Sequence, residues 1–343
     1  MSSKVSNMAP TASNMPSTAS STAPTPFPYV VGQVLNLKSS GEKDISVTIT
    51  KVYPLTMSPV MEVQIQTEEG YEEAVLKLFD RRFGDSRKEC GYSNDPPKPH
   101  TEQIEAAWKE YVRRGSVKAL FDDIKRKEDL FDYEGICEDS ESDDDQPEWE
   151  KLAEEEGKLQ YKMERNYASE VQAYKQLQEL QGRCVPRFIS SVTLDMPSYE
   201  PDLPPTYFQV SGVLLQKICG FNLSDLISHL PKEAYLWEGI IQNAVDAATE
   251  VNRAGVFNRD AQPRNVIVAE VNGHDRKFQC FMIDFAQSSF RWEYKDTDDL
   301  DDWSGWKANI SMRNNPGAIG CIMLGKIKRG TGIKLEVTYP DLW

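Results

Sequence analysis

The stretch from Gly255 to Ala286 constrains this chain more than any other. It opens Gly255-Val-Phe-Asn-Arg-Asp260-Ala-Gln-Pro-Arg-Asn265-Val-Ile-Val and closes Phe281-Met-Ile-Asp284-Phe285-Ala286. A long amphipathic pattern precedes it, with Leu236, Ile240, Ile241, Val245, Ala248 and Val251 on one stripe and Gly255 as its stop. Val266-Ile267-Val268 and Phe278–Ile283 then predict two short strands around a turn at Asn272-Gly273. An Asp-x₄-Asn pair alone turns up by chance in many chains. Helix, Asp-x₄-Asn, hairpin and a strand delivering an aspartate at its end, in that order, form a far more specific combination.

Chemically, such a set suits phosphoryl transfer. One carboxylate orients an attacking hydroxyl and takes its proton. A second carboxylate and an amide oxygen hold Mg²⁺, which neutralises charge on the β- and γ-phosphates of ATP. The metal matters because the 343-residue chain carries a formal net charge of −15. That field repels phosphates, so it argues against general nucleic-acid binding and against docking on an anionic membrane. A nucleotide needs local cations and a metal ion to offset it. Six scattered cysteines (Cys90, Cys137, Cys184, Cys219, Cys280, Cys321) form no C-x-x-C pair, which reads as reduced thiols rather than a disulfide framework or zinc site. No apolar run approaches the roughly 18 residues that span a bilayer, and Met1–Pro28 has no apolar signal core. The expectation is a soluble protein of the cytoplasm or nucleus.

Residues 1–27 are Ser, Thr, Pro, Ala and Asn in the main and predict a disordered tail, with order beginning near Phe27 or Tyr29. From Asp44 to Asp80 the pattern is β: Ile45, Val47 and Ile49 alternate, Val52 shifts the phase, Met61, Val63 and Ile65 alternate again, and Ala74–Phe79 is mostly apolar. Three antiparallel strands are the simple reading. Residues 81–160 break that pattern with a loop around Asn94–Pro99, one helix near Glu102–Phe121, and an acidic run at Glu138–Glu150. The run reads as a solvated loop or, alternatively, as a docking site for a basic protein partner. Tyr167, Val171, Tyr174, Leu177 and Gln181 predict a strong helix ended by Gly182 and Pro186. Val185–Leu194 and Tyr207–Lys217 predict two more strands joined by a Pro-rich loop. After Gln287 little periodicity is visible, and no repeat at solenoid spacing occurs.

On these residues the chain resembles the protein-kinase-like superfamily, and within it looks like the compact fungal kinase-like proteins. The resemblance covers Tyr29–Asp80 and Tyr161–Gln287, and more loosely Trp303–Met323. It implies an α+β, two-lobed fold: a small antiparallel β-rich lobe from 28–80 and 161–218, an insertion at 81–160, and a reduced, mainly helical lobe from 219–343. Asn258-Arg259-Asp260 falls at the His-Arg-Asp position, which makes Asp260 the catalytic base and Asn265 the amide ligand to Mg²⁺. Asp284-Phe285-Ala286 falls at the Asp-Phe-Gly position, which makes Asp284 the main metal ligand. Lys77 matches the strand lysine that pairs with the α- and β-phosphates, Glu170 the glutamate that holds it, and Val213–Gly220 the hinge that meets adenine. The implied activity is transfer of the γ-phosphate of ATP to a hydroxyl acceptor, protein or small molecule; the alternative is a pseudokinase scaffold without turnover.

Blander readings stand beside these. Lys77 could be a surface lysine on an edge strand, Glu164 or Glu179 could replace Glu170, Asp260 and Asn265 could be turn-formers, and Asp284 could cap a strand. Arg259 is assigned no chemical role, and His100, His229 and His274 read as surface residues. The pattern also departs from the family. Thr50–Val60 holds no glycine where a phosphate loop belongs, so weaker ATP binding or a differently shaped lid is expected. Asn258 replaces His, which puts the bracing of the loop in question. Gln262 stands in place of Lys, and Ala286 in place of Gly. Phe285–Trp343 contains no Ala-Pro-Glu and is too short for the usual activation segment plus a complete helical lobe.

Overall fold

The structure, a computed structural model, describes residues 23–39, 44–68, 70–88, 96–131, 146–196, 200–271 and 276–341. Most of the expected tail, the acidic stretch 138–145, Asn94-Asp95 and the Asn272-Gly273 turn lie outside them, as do His274, Cys90 and Cys137.

Strands β1 (Val34–Ser39), β2 (Ile45–Val52), β3 (Val60–Thr67) and β4 (Gly70–Phe79) run antiparallel as neighbours. With β5 (Phe188–Asp195) and β6 (Gln209–Gln216) they close a barrel in the order β1-β2-β3-β4-β6-β5. Alternation supplies the interior: Leu35, Leu37, Val47, Ile49, Met61, Val63, Ala74, Leu76 and Val210 are buried. The phase shift expected at Val52 appears as a register irregularity in β2 between Ile49 and Lys51. The predicted three strands over 44–80 are present. β1 is an addition, and it closes the barrel by pairing Lys38 and Ser39 with Thr193 and Val192 of β5.

Two helices stand where one was expected. Helix α1 (Glu102–Arg113) is capped by Thr101, whose side chain accepts from the Ile104 amide at 3.3 Å, and α2 (Val117–Phe131) follows. Gly115, at φ +73°, turns the chain between them. Helix α3 (Glu148–Gln176) is 29 residues long. It starts well before the Tyr167 stripe and ends before Gln181, whose side chain instead bonds the Tyr174 carbonyl and the Phe188 amide.

The remaining elements are β7 (Phe221–Asn222), α4 (Leu226–His229), α5 (Ala234–Arg253), β8 (Val256–Asn258), β9 (Val266–Val271), β10 (Lys277–Met282), β11 (Ser288–Phe290), α6 (Trp306–Arg313) and α7 (Asn315–Thr331). β10, β9 and β7 form one antiparallel sheet, and β8 pairs with β11. The stretch after Gln287 is therefore not aperiodic throughout: α7 buries Ile319, Met323 and Ile327 in the cluster that holds Ile241, Ala244 and Ala248 of α5. Asn314, at φ +39°, starts α7 by accepting from the Gly317 amide at 3.0 Å.

The fold is thus mixed α/β with two large apolar clusters, one inside the barrel and against α1, the other around α5. α3 belongs to both, giving Ala153 to the first and Met163, Ala173 and Tyr174 to the second. Among the described residues no helix is long and apolar enough to cross a membrane.

Candidate functional site

β4 is the strand that carries Lys77 inward. It is paired on both sides, with Val60 of β3 and Val213 of β6 opposite Lys77, so it is not an edge strand, and Lys77 is only 7% exposed. Its ammonium donates to Glu170 Oε2 at 2.5 Å and to Asp284 Oδ1 at 2.7 Å. Glu170 projects from the buried face of α3 and is fully enclosed; Glu164 bonds Gln160 instead, and Glu179 lies outside the helix on the surface. Asp284 lies two residues past the end of β10 and has a 35% exposed side chain.

One cation between two carboxylates in a low-dielectric setting separates their behaviour. Burial opposes the charge on Lys77, but Asp284 and Glu170 outweigh it and raise the ammonium pKa. Burial dominates at Glu170 and lifts its carboxyl above the ordinary range despite Lys77. At Asp284 burial is overcome by the charge and hydrogen bond of Lys77, and the carboxyl sits below its ordinary range. Asp284 therefore holds the firmer negative charge, on the side open to solvent.

The second half of the site is the turn after β8. Asn258, 1% exposed, joins the two halves: its Oδ1 accepts from the Asp260 amide at 2.9 Å, and its Nδ2 donates to the Asp284 carbonyl at 2.8 Å. The bracing that the missing His put in question is supplied by this amide. Asn265 donates through Nδ2 to the Asp260 carbonyl at 2.8 Å and to Asp260 Oδ2 at 3.0 Å, and its own carbonyl accepts from the Ile283 amide at 3.0 Å. Asp284 adopts φ +62°, a left-handed conformation that a non-glycine residue holds only when its surroundings fix it. Arg259 bonds Ser289 Oγ at 2.6 Å, tying the turn to β11.

Arg264 escaped the sequence reading. Its guanidinium spans both oxygens of Asp260, at 2.6 and 2.9 Å, beside Gln262 Nε2 at 3.1 Å. The available signal was the absence of Lys at Gln262, with Arg264 only four residues beyond Asp260. His100 is also corrected: it is buried, 3.0 Å from Glu105 Oε2. His229 is exposed and stacks on Phe221 at 4.5 Å.

The glycine-free segment between β2 and β3 leans toward the turn after β4 and toward the stretch following Asp284. Thr56 carbonyl accepts from the Asp85 amide at 2.8 Å, and Met57 Sδ accepts from Gln287 Nε2 at 3.1 Å. The close approach is made at Gly84, φ +106°, where a Cβ would lie 2.7 Å from the Thr56 and Met57 carbonyl oxygens. At the expected hinge, Gly220 serves a similar end, since a Cβ there would meet the Val268 carbonyl at 2.2 Å.

Among the described residues no three His, Cys, Asp or Glu side chains converge as a metal cage. Asp284, with a part-exposed carboxylate, and Asn265, whose Nδ2 is spent on Asp260, are the residues that could offer hard oxygen donors here. That suits Mg²⁺, which keeps several waters and takes its remaining ligands from phosphate. Cys184, Cys219, Cys280 and Cys321 are free thiols.

No family model matches the chain, and no curated protein does; the narrower likeness to compact fungal proteins has no counterpart among them. Among solved structures the chain is similar to "WaaP in complex with acyl carrier protein", at 11% identity and TM-score 0.34 over 82% of this chain and 83% of that one. It is also similar to a Toxoplasma gondii specific rhoptry antigen kinase domain, at 11% identity and TM-score 0.34 over 76% of this chain and 55% of that one. At those values the likeness assigns no activity.

Proposed function

We propose that the chain is a two-lobed, protein-kinase-like phosphotransferase that moves the γ-phosphate of Mg²⁺-bound ATP to a hydroxyl acceptor. The observation that carries this reading is Lys77 held between Glu170 at 2.5 Å and Asp284 at 2.7 Å, with Asn258 linking Asp284 to the Asp260 turn. Lys77, fixed by Glu170, presents its charge to the α- and β-phosphates. Asp284 and Asn265 hold Mg²⁺, which when bound neutralises the β- and γ-phosphate oxygens. Asp260 releases Arg264 and orients the acceptor hydroxyl. As its O–H bond breaks, Asp260 takes the proton, the acceptor oxygen bonds the γ-phosphorus, and the bond to the β–γ bridging oxygen breaks to free ADP. Arg264 then stands beside the transferring group, where Gln262 supplies no charge.

A scaffold that binds partners without turnover is the second reading. It is favoured by the engagement of both Asp260 oxygens by Arg264 and by the lack of glycine between β2 and β3. Thermal unfolding with and without Mg²⁺/ATP tests the first reading. At about a hundredfold over Kd, the ligand adds roughly 2.7 kcal/mol. That moves Tm by a few degrees in the wild type and not in Asp284→Ala. Absence of a shift at millimolar Mg²⁺/ATP overturns nucleotide binding and favours the scaffold.

A further inference from the structure

Among the described residues a second group of buried charges lies away from the site just described and includes Glu156 of the same helix, α3. Arg81, four residues beyond Lys77 and 2% exposed, donates to Glu105 of α1 at 2.7 Å and to Glu156 of α3. Arg87 donates to the other oxygen of Glu156 at 2.9 Å, and His100 sits 3.0 Å from Glu105. Glu156 is 1% exposed, so each of its oxygens is matched by a guanidinium rather than by water.

Lys77–Glu170 and Arg81–Glu156 are therefore two ion-paired rungs between the same segments, the end of β4 and α3. The two glutamates are fourteen positions apart, close to four full turns of about 3.6 residues, so they lie on one face roughly 21 Å apart along the axis. Attachment at one point lets a helix pivot; attachment at two fixes both its rotation and its slide. Packing agrees. Gly157, next to Glu156, lies close under both inserted helices: a Cβ there would come 2.5 Å from Leu120 Cδ2 of α2 and 3.0 Å from the Trp108 ring of α1, so those side chains would have to shift. Glycine inside a helix lowers its stability by about 1 kcal/mol against alanine, yet here it admits the close approach of both inserted helices.

We propose that Arg81 is a positioning residue. Through Glu156 and Glu105 it locks α3 against the β4 turn and α1, and so keeps Glu170 on Lys77 without any ligand or modification. On this view Arg81, Arg87, His100 and helix α1 serve the site as a permanent clamp. The inference rests on the phosphotransferase reading only for the use to which the Lys77–Glu170 pair is put.

Hydrogen exchange on the full chain tests it without nucleotide, so its failure is separate from a failure of that reading. In Arg81→Met, amides of α3 from Tyr167 to Tyr174 should exchange at least about tenfold faster, with β2 and β3 unchanged, since local opening is set by local contacts. Arg81→Lys, which keeps the charge but loses the fork, should recover part of the protection. Unchanged exchange over 167–174, or equal acceleration in the barrel strands, overturns the proposal. Should Arg81→Met fail to fold, Glu156→Gln keeps the shape of the rung and is read by the same criteria.

Discussion

Asn258 gives the sharpest test of how the two halves of the site are joined. Its amide makes two bonds, one received from the Asp260 amide at 2.9 Å and one given to the Asp284 carbonyl at 2.8 Å, in a position only 1% exposed. Asn258→Ala removes both and leaves a donor and an acceptor without partners. A net hydrogen bond contributes about 0.5–1.5 kcal/mol, and a stranded buried group costs about 1–3 kcal/mol. The expected loss is therefore about 2–4 kcal/mol, read from urea midpoints at constant m. Asn258→Asp separates the bonds: its carboxylate still accepts from the Asp260 amide but opposes the Asp284 carbonyl. It should retain the geometry of the Asp260 turn while weakening the Mg²⁺/ATP shift that depends on Asp284. Equal stability of Asn258→Ala and wild type, within about 0.5 kcal/mol, would refute the view that this amide braces the site.

Three further outcomes follow from the geometry. Gly84→Ala forces a side chain onto φ +106° and against two carbonyl oxygens at 2.7 Å; strain of about 1–3 kcal/mol should appear as a lower urea midpoint and a displaced β2–β3 segment. Glu62 is held at a pKa of about 2, from 4.5, because hydrogen bonds from Lys217, Tyr53 and Lys51 overcome burial. A depressed carboxyl stabilises the fold above its unfolded pKa and loses that contribution as pH falls through the folded one. Urea stability between pH about 4.5 and 2 should thus fall less steeply in Glu62→Gln than in wild type. Arg264, with a 57% exposed side chain, should be worth less than about 1 kcal/mol to stability. Arg264→Ala should leave Tm nearly unchanged while lowering transfer, and an intact rate would remove Arg264 from the chemistry.

Much of this was legible in the chain itself, for physical reasons. Asp260, Asn265 and Asp284 stand out because they fall at turns and strand ends that apolar periodicity brackets, Lys77 because it sits in a mostly apolar strand, and Glu170 because it sits on a helical stripe. Hydrogen bonds join Lys77 to Glu170 and Asp284, and Asn258 ties Asp284 to the Asp260 turn. The strands of the barrel announce themselves by alternation, and even the irregularity in β2 is visible at Val52. β1 is harder: Val34-Leu-Asn-Leu-Lys-Ser39 is short, and its meaning depends on β5, far along the chain. α7 is masked by Gly317, Gly320, Gly325 and Gly330, poor helix formers tolerated because tertiary packing of Ile319, Met323 and Ile327 decides the outcome. The α1–α2 break hinges on one left-handed glycine. The Arg81 group was invisible, since Arg, Glu and His in a mixed pattern read as a solvated surface until their partners from α1 and α3 are placed around them.

Charge decides how a nucleotide could enter such a site. Lys77 is already shared by Glu170 and Asp284, and Arg264 is committed to Asp260. The site thus has fewer cations than carboxylates before any phosphate arrives, inside a chain of net charge −15. Close approach of a polyphosphate to an ionised Asp284 at 4 Å is opposed by about 4 kcal/mol per charge pair at an effective dielectric of 20, which Lys77 alone does not offset. A divalent cation, for which Asp284 and Asn265 would be the ligands, would turn that repulsion into attraction. Nucleotide stabilisation should accordingly vanish in EDTA and return with Mg²⁺. A site that grips phosphate through its own cations, as a basic anion pocket does, would keep its shift in EDTA and lose it with added salt. That second pattern would mean that Asp284 faces the nucleotide as an obstacle, and the assignment of the metal to Asp284 and Asn265 would fall with it.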